Sequence, residues 1–339
     1  MIKMKYGVDF GGIIMKNNIT PIFILGGARN GTTWLCNTLG NHSEIASVRH
    51  VLHHGFHESS IFRKKQFFGD IKNDKKFIEF IEVFANSDHF ILANGDKEYF
   101  YKNRPKDFYE FFFQLMDNYA TKQNKRFWLT KFDPSLLMNN NETAHFFERL
   151  NKRYSSFKLI SIQRNFEDVI RSYLNMPGTY YKYRHSKTFC HIAAFKEAAQ
   201  QNFLYKKINK LKEKYEIFSI SFEDMKNNFK SIMENCMHFL ELKYEENLEK
   251  RYFKPNTSFT GNKRKIDITT FEKKLFKWVT KPRFISKTLL YLWEKKKGIP
   301  DTLFFRLKRA DLFPRNLVEE FEEQGEFDLA EIVKKEYLS

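Results

Sequence analysis

Cysteine is scarce in this chain. Cys36, Cys190 and Cys236 stand far apart in 339 residues, with no Cys-x-x-Cys spacing. That excludes a disulfide framework and a cysteine-built zinc site. No stretch reaches about 18 apolar residues, so no membrane-spanning helix is expected. Met1 to Asn18 contain no apolar block of the roughly 7–15 residues that a secretory leader carries. Residues 1–20 therefore read as a short irregular leader. Internal repeats and long low-complexity tracts are also absent. Acidic residues are few beside basic ones, 41 against 58, which leaves a formal net charge of +17. Such a surface draws anions: a nucleotide, an acidic glycan, a nucleic acid or an anionic membrane face. Phenylalanine is plentiful, 38 against 16 Tyr and 4 Trp. A+T-rich codons give Phe and Lys together, so that excess says nothing about function.

What is present alternates between strand and helix. Residues 21–50 read as strand, loop, helix and second strand, and residues 51–106 as an insertion of helices and loops rich in His, Phe and Lys. Helices are expected at 107–123, 143–154, 187–215 and 228–242, and strands at 127–132, 157–163 and 216–221. Strands alternating with helices give an α/β fold of three layers, α/β/α, with a central parallel sheet covered on both faces. In such folds ligands sit at the carboxyl ends of the strands.

Two loops fall at that edge. Gly26-Gly27-Ala28-Arg29-Asn30-Gly31-Thr32-Thr33 follows the first strand with the spacing Gly-x4-Gly-Thr-Thr. This is the phosphate-loop pattern with Thr32 where a triphosphate hydrolase carries lysine. The loop can still aim backbone N–H groups at an anion, but it lacks the lysine that grips a β/γ-phosphate pair. The strand at 157–163 runs into Gln163-Arg164 and not into the acid that would hold magnesium. Arg164 at the strand end and Ser172 eight residues on offer a charged fork and a hydroxyl to one phosphate.

These residues resemble the paired motifs of sulfotransferases that use 3′-phosphoadenosine 5′-phosphosulfate. The family's [RK]-S-G-T-T loop is matched by Arg29-Asn30-Gly31-Thr32-Thr33, and its R-[ND]-x-x-D-x-x-x-S element by Arg164 to Ser172. Ile220 to Lys226 is similar to the strand-ending Y-E-D-[LM], and Asn41 to Ile45 to the H-P-x-[IV] that closes the first helix. The resemblance spans roughly residues 20–243. It implies a phosphate-loop sulfotransferase fold over 21–250, a sulfate donor as co-substrate, and no metal. Arg29 would meet the 5′-phosphate and its bridging oxygen, with Asn30, Gly31, Thr32 and Thr33 as further donors. Trp34 would lie against adenine, and Phe222 stands where the family has a tyrosine near the same base. Arg164 and Ser172 would bind the 3′-phosphate, and Lys263 and Arg264 resemble a late basic loop that caps it. Lys131, in Leu129-Thr130-Lys131-Phe132-Asp133-Pro134, resembles the [DE]-K-[ST]-P strand end of bacterial and heparan-type members and would stabilise the transferring group.

By the count from Gly31, the place of the family's glutamate falls on Arg49 or His50; His50 is the first candidate for the general base and Asp133 another. A histidine titrates near neutrality with little tuning. His53, His54, His57 and Glu58 follow at once, yet no His-Glu-x-x-His or distant Cys/His pair supports zinc. The acceptor expected by analogy is a saccharide or lipid-linked glycan, shaped by residues 51–106 and the C-terminal region. The resemblance also implies a cytoplasmic protein. Residues 251–339 read as a basic helical region packed on the domain. Within it, 271–297 carry nine Lys/Arg against two acids, either as a solvated face or as a contact with an anionic membrane or acidic glycan. Two rival readings are a kinase using ATP and a non-catalytic polyanion-binding protein; nucleic acid is not an expected partner.

Overall fold

The computed structural model describes residues 19–48, 68–86, 90–91, 93–132, 137, 140–174, 201–250 and 270. His50, Asp133, Lys263, Arg264, most of the C-terminal region and the histidine cluster lie outside them. Five parallel strands form one sheet: β1 (Thr20–Leu25), β2 (Ile45–Ser47), β3 (Phe127–Lys131), β4 (Lys158–Gln163) and β5 (Ile217–Ser221), in the order β2-β3-β1-β4-β5. β1 is central and buried from Pro21 onward, as its unbroken apolar run requires of a strand covered on both faces. Pro21 falls where β4 has not yet joined, since that pairing begins at Ile22–Lys158. Its missing N–H therefore costs little.

Alternation along the strands separates two cores. Phe23, Leu25, Trp128 and Leu159 point to one face, where they meet α2 (Asp74–Phe84), α3 (Lys97–Lys102), α4 (Phe108–Lys122), α5 (Asn140–Arg153) and Leu204 and Ile208 of α7, a helix at 201–211. Ile22, Ile24, Leu129, Ile160 and Ile162 point to the other, against α1 (Thr32–Leu39), α8 (Phe222–Asn227) and α9 (Phe229–Leu240). The result is a three-layer α/β/α fold, as the alternation predicts. The described part of the expected insertion shares the core of the sheet: Phe80, Phe84 and Phe100 pack with Phe111, and Phe77 belongs to the same cluster. A helix that the strand-ending motif does not announce, α8, follows β5 directly. Ser221 ends the strand and caps it by accepting the Asp224 N–H. Among the described residues no helix is long and apolar enough to cross a membrane.

One buried carboxylate ties the Phe-rich face together. Asp117 of α4 accepts from Trp128 Nε1 and Tyr154 Oη, both at 2.9 Å, on one oxygen. Arg153 Nε and Nη2 reach the other at 3.1 and 2.7 Å. Burial and the Asp117 charge hold the Tyr154 hydroxyl well above its ordinary pKa, so it stays a donor. Removing the acceptor strands four donor groups on three side chains at once. Asp117→Ala is expected to lower unfolding free energy by about 3 kcal/mol, read from the midpoint of denaturant unfolding. A midpoint within error of wild type would contradict this role.

Candidate functional site

The chain leaves β1 between β3 and β4 and enters a tight loop before α1. Two features shape that loop. Gly31 sits at φ 93°, a left-handed position natural to glycine, and a Cβ there would meet Phe222 Cδ2 at 2.5 Å. Gly27 leaves no room either, because its Cβ would lie 2.0 Å from the Gln201 amide oxygen. Arg29 also adopts φ 67°, which costs a non-glycine residue about 1 kcal/mol. Gly31 is the N-cap of α1 and brings no side chain, so the first turn receives no side-chain cap from it. Such a turn favours an anion.

Arg29 and Ser172, assigned from the sequence to opposite ends of one nucleotide, are in contact: Arg29 Nε donates to Ser172 Oγ at 2.9 Å. Ser172 lies on α6 (Phe166–Leu174), which follows Arg164 and β4. Arg164 turns its Nη1 toward the Arg29 carbonyl at 3.5 Å and lays its guanidinium 4.4 Å over the Phe222 ring. Its Nε is buried and has no hydrogen-bond partner among the described residues. Burial and the neighbouring Arg164 push Arg29 down to about 10, still a cation at neutral pH. Arg164 is lowered too, by burial first, although Asp168 and Glu223 pull it back. Two partly buried cations, one lowered by the charge of the other and the other with an unfilled donor among the described residues, describe a place for an anion.

A third cation arrives from β3. Lys131 is 4% exposed and donates to Thr33 Oγ1 at 3.1 Å. Among the described residues no carboxylate pairs with it, and burial lowers its pKa, opposed by Cys36. Thr33 holds the position whose hydroxyl binds magnesium in triphosphate loops. Here an ammonium occupies that hydroxyl. Trp34 packs edge-on against Phe222 at 5.6 Å and stacks on Phe229 at 6.1 Å, so the two predicted adenine neighbours adjoin each other beside Arg164.

Asn30 is fully buried and turned away from the cations. Its amide donates to Gln201 Oε1 at 2.7 Å, and its oxygen accepts from the Arg164 N–H at 3.0 Å and the Tyr205 hydroxyl at 2.6 Å. Gln201 in turn donates to the Ala28 carbonyl at 3.0 Å. Neither Gln201 nor Tyr205 was legible as a site residue. The only sequence signal is that two polar side chains recur one helical turn apart among the residues of an otherwise core-facing helix. His42, from the motif after α1, is structural: its Nε2 meets the Lys243 carbonyl at 2.9 Å and its Nδ1 accepts the Glu44 N–H at 3.1 Å. Among the described residues no group of three or more His, Cys, Asp or Glu side chains could hold a metal ion.

A model of the sulfotransferase family matches residues 21–246. No curated protein sequence matches the chain. Among solved structures, the sulfotransferase domain of the Synechococcus PCC 7002 olefin synthase is 15% identical, with 89% of this chain and 97% of that one covered at a TM-score of 0.42. The sulfotransferase domain of the curacin biosynthetic pathway is 19% identical, with 86% and 96% covered at 0.44. A sulfotransferase from Mycobacterium tuberculosis is 13% identical, with 68% and 70% covered at 0.38.

The Lys131 charge is held against its own desolvation, which generates a stability test. Lys131→Met keeps the volume and removes the charge, so it is expected to raise unfolding free energy by about 1 kcal/mol at pH 7. Folded Lys131 gives up its proton at a lower pH than the ordinary 10.5 of an unfolded lysine. Across that interval the unfolded chain binds more protons, so this group makes wild-type stability rise with pH. The advantage of Lys131→Met should therefore shrink as pH climbs toward 10.5. Denaturant titrations of both proteins at several pH values check it; a variant less stable than wild type at pH 7 would refute the account.

Proposed function

Because the chain belongs to the sulfotransferase family, we propose that it moves the sulfuryl group of 3′-phosphoadenosine 5′-phosphosulfate to a hydroxyl or amine of an acceptor, with a saccharide or lipid-linked glycan as the acceptor class. One observation carries the donor assignment. Arg29 and Arg164 adjoin each other, each lowered by burial, and Arg164 keeps a buried Nε without a partner among the described residues. A ligand with two anionic groups on one ribose relieves both. In this reading Arg29, the Gly31, Thr32 and Thr33 N–H groups and the two threonine hydroxyls take the 5′-phosphosulfate. Arg164 and Ser172 take the 3′-phosphate, with Lys263 and Arg264 outside them. Trp34 and Phe222 flank adenine. Arg29 exchanges its bond to Ser172 for phosphate when the donor enters.

In the reaction the acceptor oxygen forms a bond to sulfur as the bond from sulfur to the bridging oxygen breaks, and adenosine 3′,5′-bisphosphate leaves. Negative charge gathers on that bridging oxygen, where Arg29 and Lys131 are the available cations. Both are fixed by the fold, so little reorganisation is needed as charge develops. The acceptor proton passes to a base, for which His50 is the candidate. The Lys131 contact with Thr33 also supports this donor over ATP, because the hydroxyl that would ligate magnesium already holds an ammonium.

Calorimetry is expected to show adenosine 3′,5′-bisphosphate binding at least tenfold tighter than ATP with magnesium. Arg29→Ala and Arg164→Ala should each weaken it by about 10- to 100-fold, the worth of a charge-assisted hydrogen bond or two. Preference for ATP with magnesium, or wild-type affinity in both variants, would overturn the assignment.

A further inference from the structure

Asn30 lies in the loop and Gln201 and Tyr205 on α7, yet together they join the elements that carry the cations. The Asn30 amide links the phosphate loop to α7 across 171 residues and to the β4–α6 turn across 134. Tyr205 repeats the first link, donating to Asn30 Oδ1 at 2.6 Å, and adds one from α7 to the turn by approaching the Arg164 carbonyl at 3.3 Å. Gln201 holds the Ala28 carbonyl from the other side. Within residues 28–30, one hydrogen bond is local, from Asn30 N–H to the Gly27 carbonyl at 3.3 Å. The side-chain bonds from α7 and to the β4–α6 turn therefore hold both neighbours of Arg29, the residue in the left-handed conformation.

We propose that Asn30, Gln201 and Tyr205 are positioning residues that set the distance between the two anion-binding elements, so that one bisphosphorylated nucleotide engages Arg29 and Arg164 together. Three features require this. Asn30 bonds the backbone N–H of Arg164 itself, so Arg164 cannot shift relative to the loop without breaking a buried bond. Arg29 lies between Ala28 and Asn30, both tethered, and the left-handed backbone that aims its side chain at Ser172 depends on those tethers. Finally, the contacts come from a buried helix face and not from solvent-exposed loops, so the spacing is built before any ligand arrives. A ligand bound at two points gains from each only if the spacing matches.

This rests on the donor reading above, and the test separates the two. Asn30→Ala and Gln201→Leu remove the links, while Tyr205→Phe removes one hydroxyl and keeps the ring should the others fail to fold. Calorimetry compares adenosine 3′,5′-bisphosphate, which needs both elements, with 5′-AMP, which needs one. In the folded variants the bisphosphate is expected to lose about tenfold in affinity or more, and 5′-AMP less than about threefold. A general loosening of the fold would weaken both ligands alike, and equal losses, or no loss in any folded variant, would overturn the proposal. If wild-type protein shows no preference for the bisphosphate, the donor reading fails. The positioning role is then decided by hydrogen exchange: selectively faster exchange of the Asn30 and Arg164 N–H groups in Tyr205→Phe upholds it, and unchanged exchange overturns it.

Discussion

Three cations are crowded at the carboxyl edge of three adjacent strands. Arg29 follows β1, Lys131 ends β3 and Arg164 follows β4. Burial lowers the pKa of all three, and the Arg164 charge lowers Arg29 further. Nothing in the local chemistry of the loop favours that arrangement. It persists because the strands that deliver the cations are fixed by apolar layers on both faces, and because the first-turn donors of α1 open to the same place. The site is a charge imbalance imposed by the fold, and the natural complement of such an imbalance is a compact polyanion.

The stabilising polar network sits elsewhere. Asp117, Trp128, Arg153 and Tyr154 satisfy one another beneath the Phe-rich face. There the carboxylate has a matching cation and neutral donors, so its burial is compensated. The contrast is informative. Where the protein needs only to hold together, its buried charge is paired. Where Lys131 meets Thr33, the described residues supply a hydroxyl and no counter-charge.

Much of this was legible in the residues. The apolar run Ile22–Leu25 and the residues Leu159, Ile160 and Ile162 of the later strand announce buried parallel strands, and Gly26 and Gly31 bracket a tight loop after the first of them. Arg164 and Lys131 are marked by standing at strand ends. What could not be read depends on distance in sequence. Strand order follows from packing and not from periodicity. Arg29 and Ser172 read as belonging to separate subsites, since nothing in a linear motif shows that two side chains 143 residues apart will meet. Asn30 read as one donor among several in the loop. Its inward turn depends on Gln201 and Tyr205, which their helix marks only by a spacing of one turn. The candidate base and the late basic loop were inferred by counting and resemblance alone, at positions outside the described residues.

The absent side chain at Gly27 has an evolutionary consequence. The space a methyl would take there is filled by the carboxamide of Gln201, with contacts of 2.0 to 2.4 Å to its terminal atoms. Neither position is free to drift by itself. A larger residue at 27 demands a shorter one at 201, and shortening 201 first opens a hole beside the loop backbone. The two positions form a compensating pair, and lineages that changed one should carry the mark of the other.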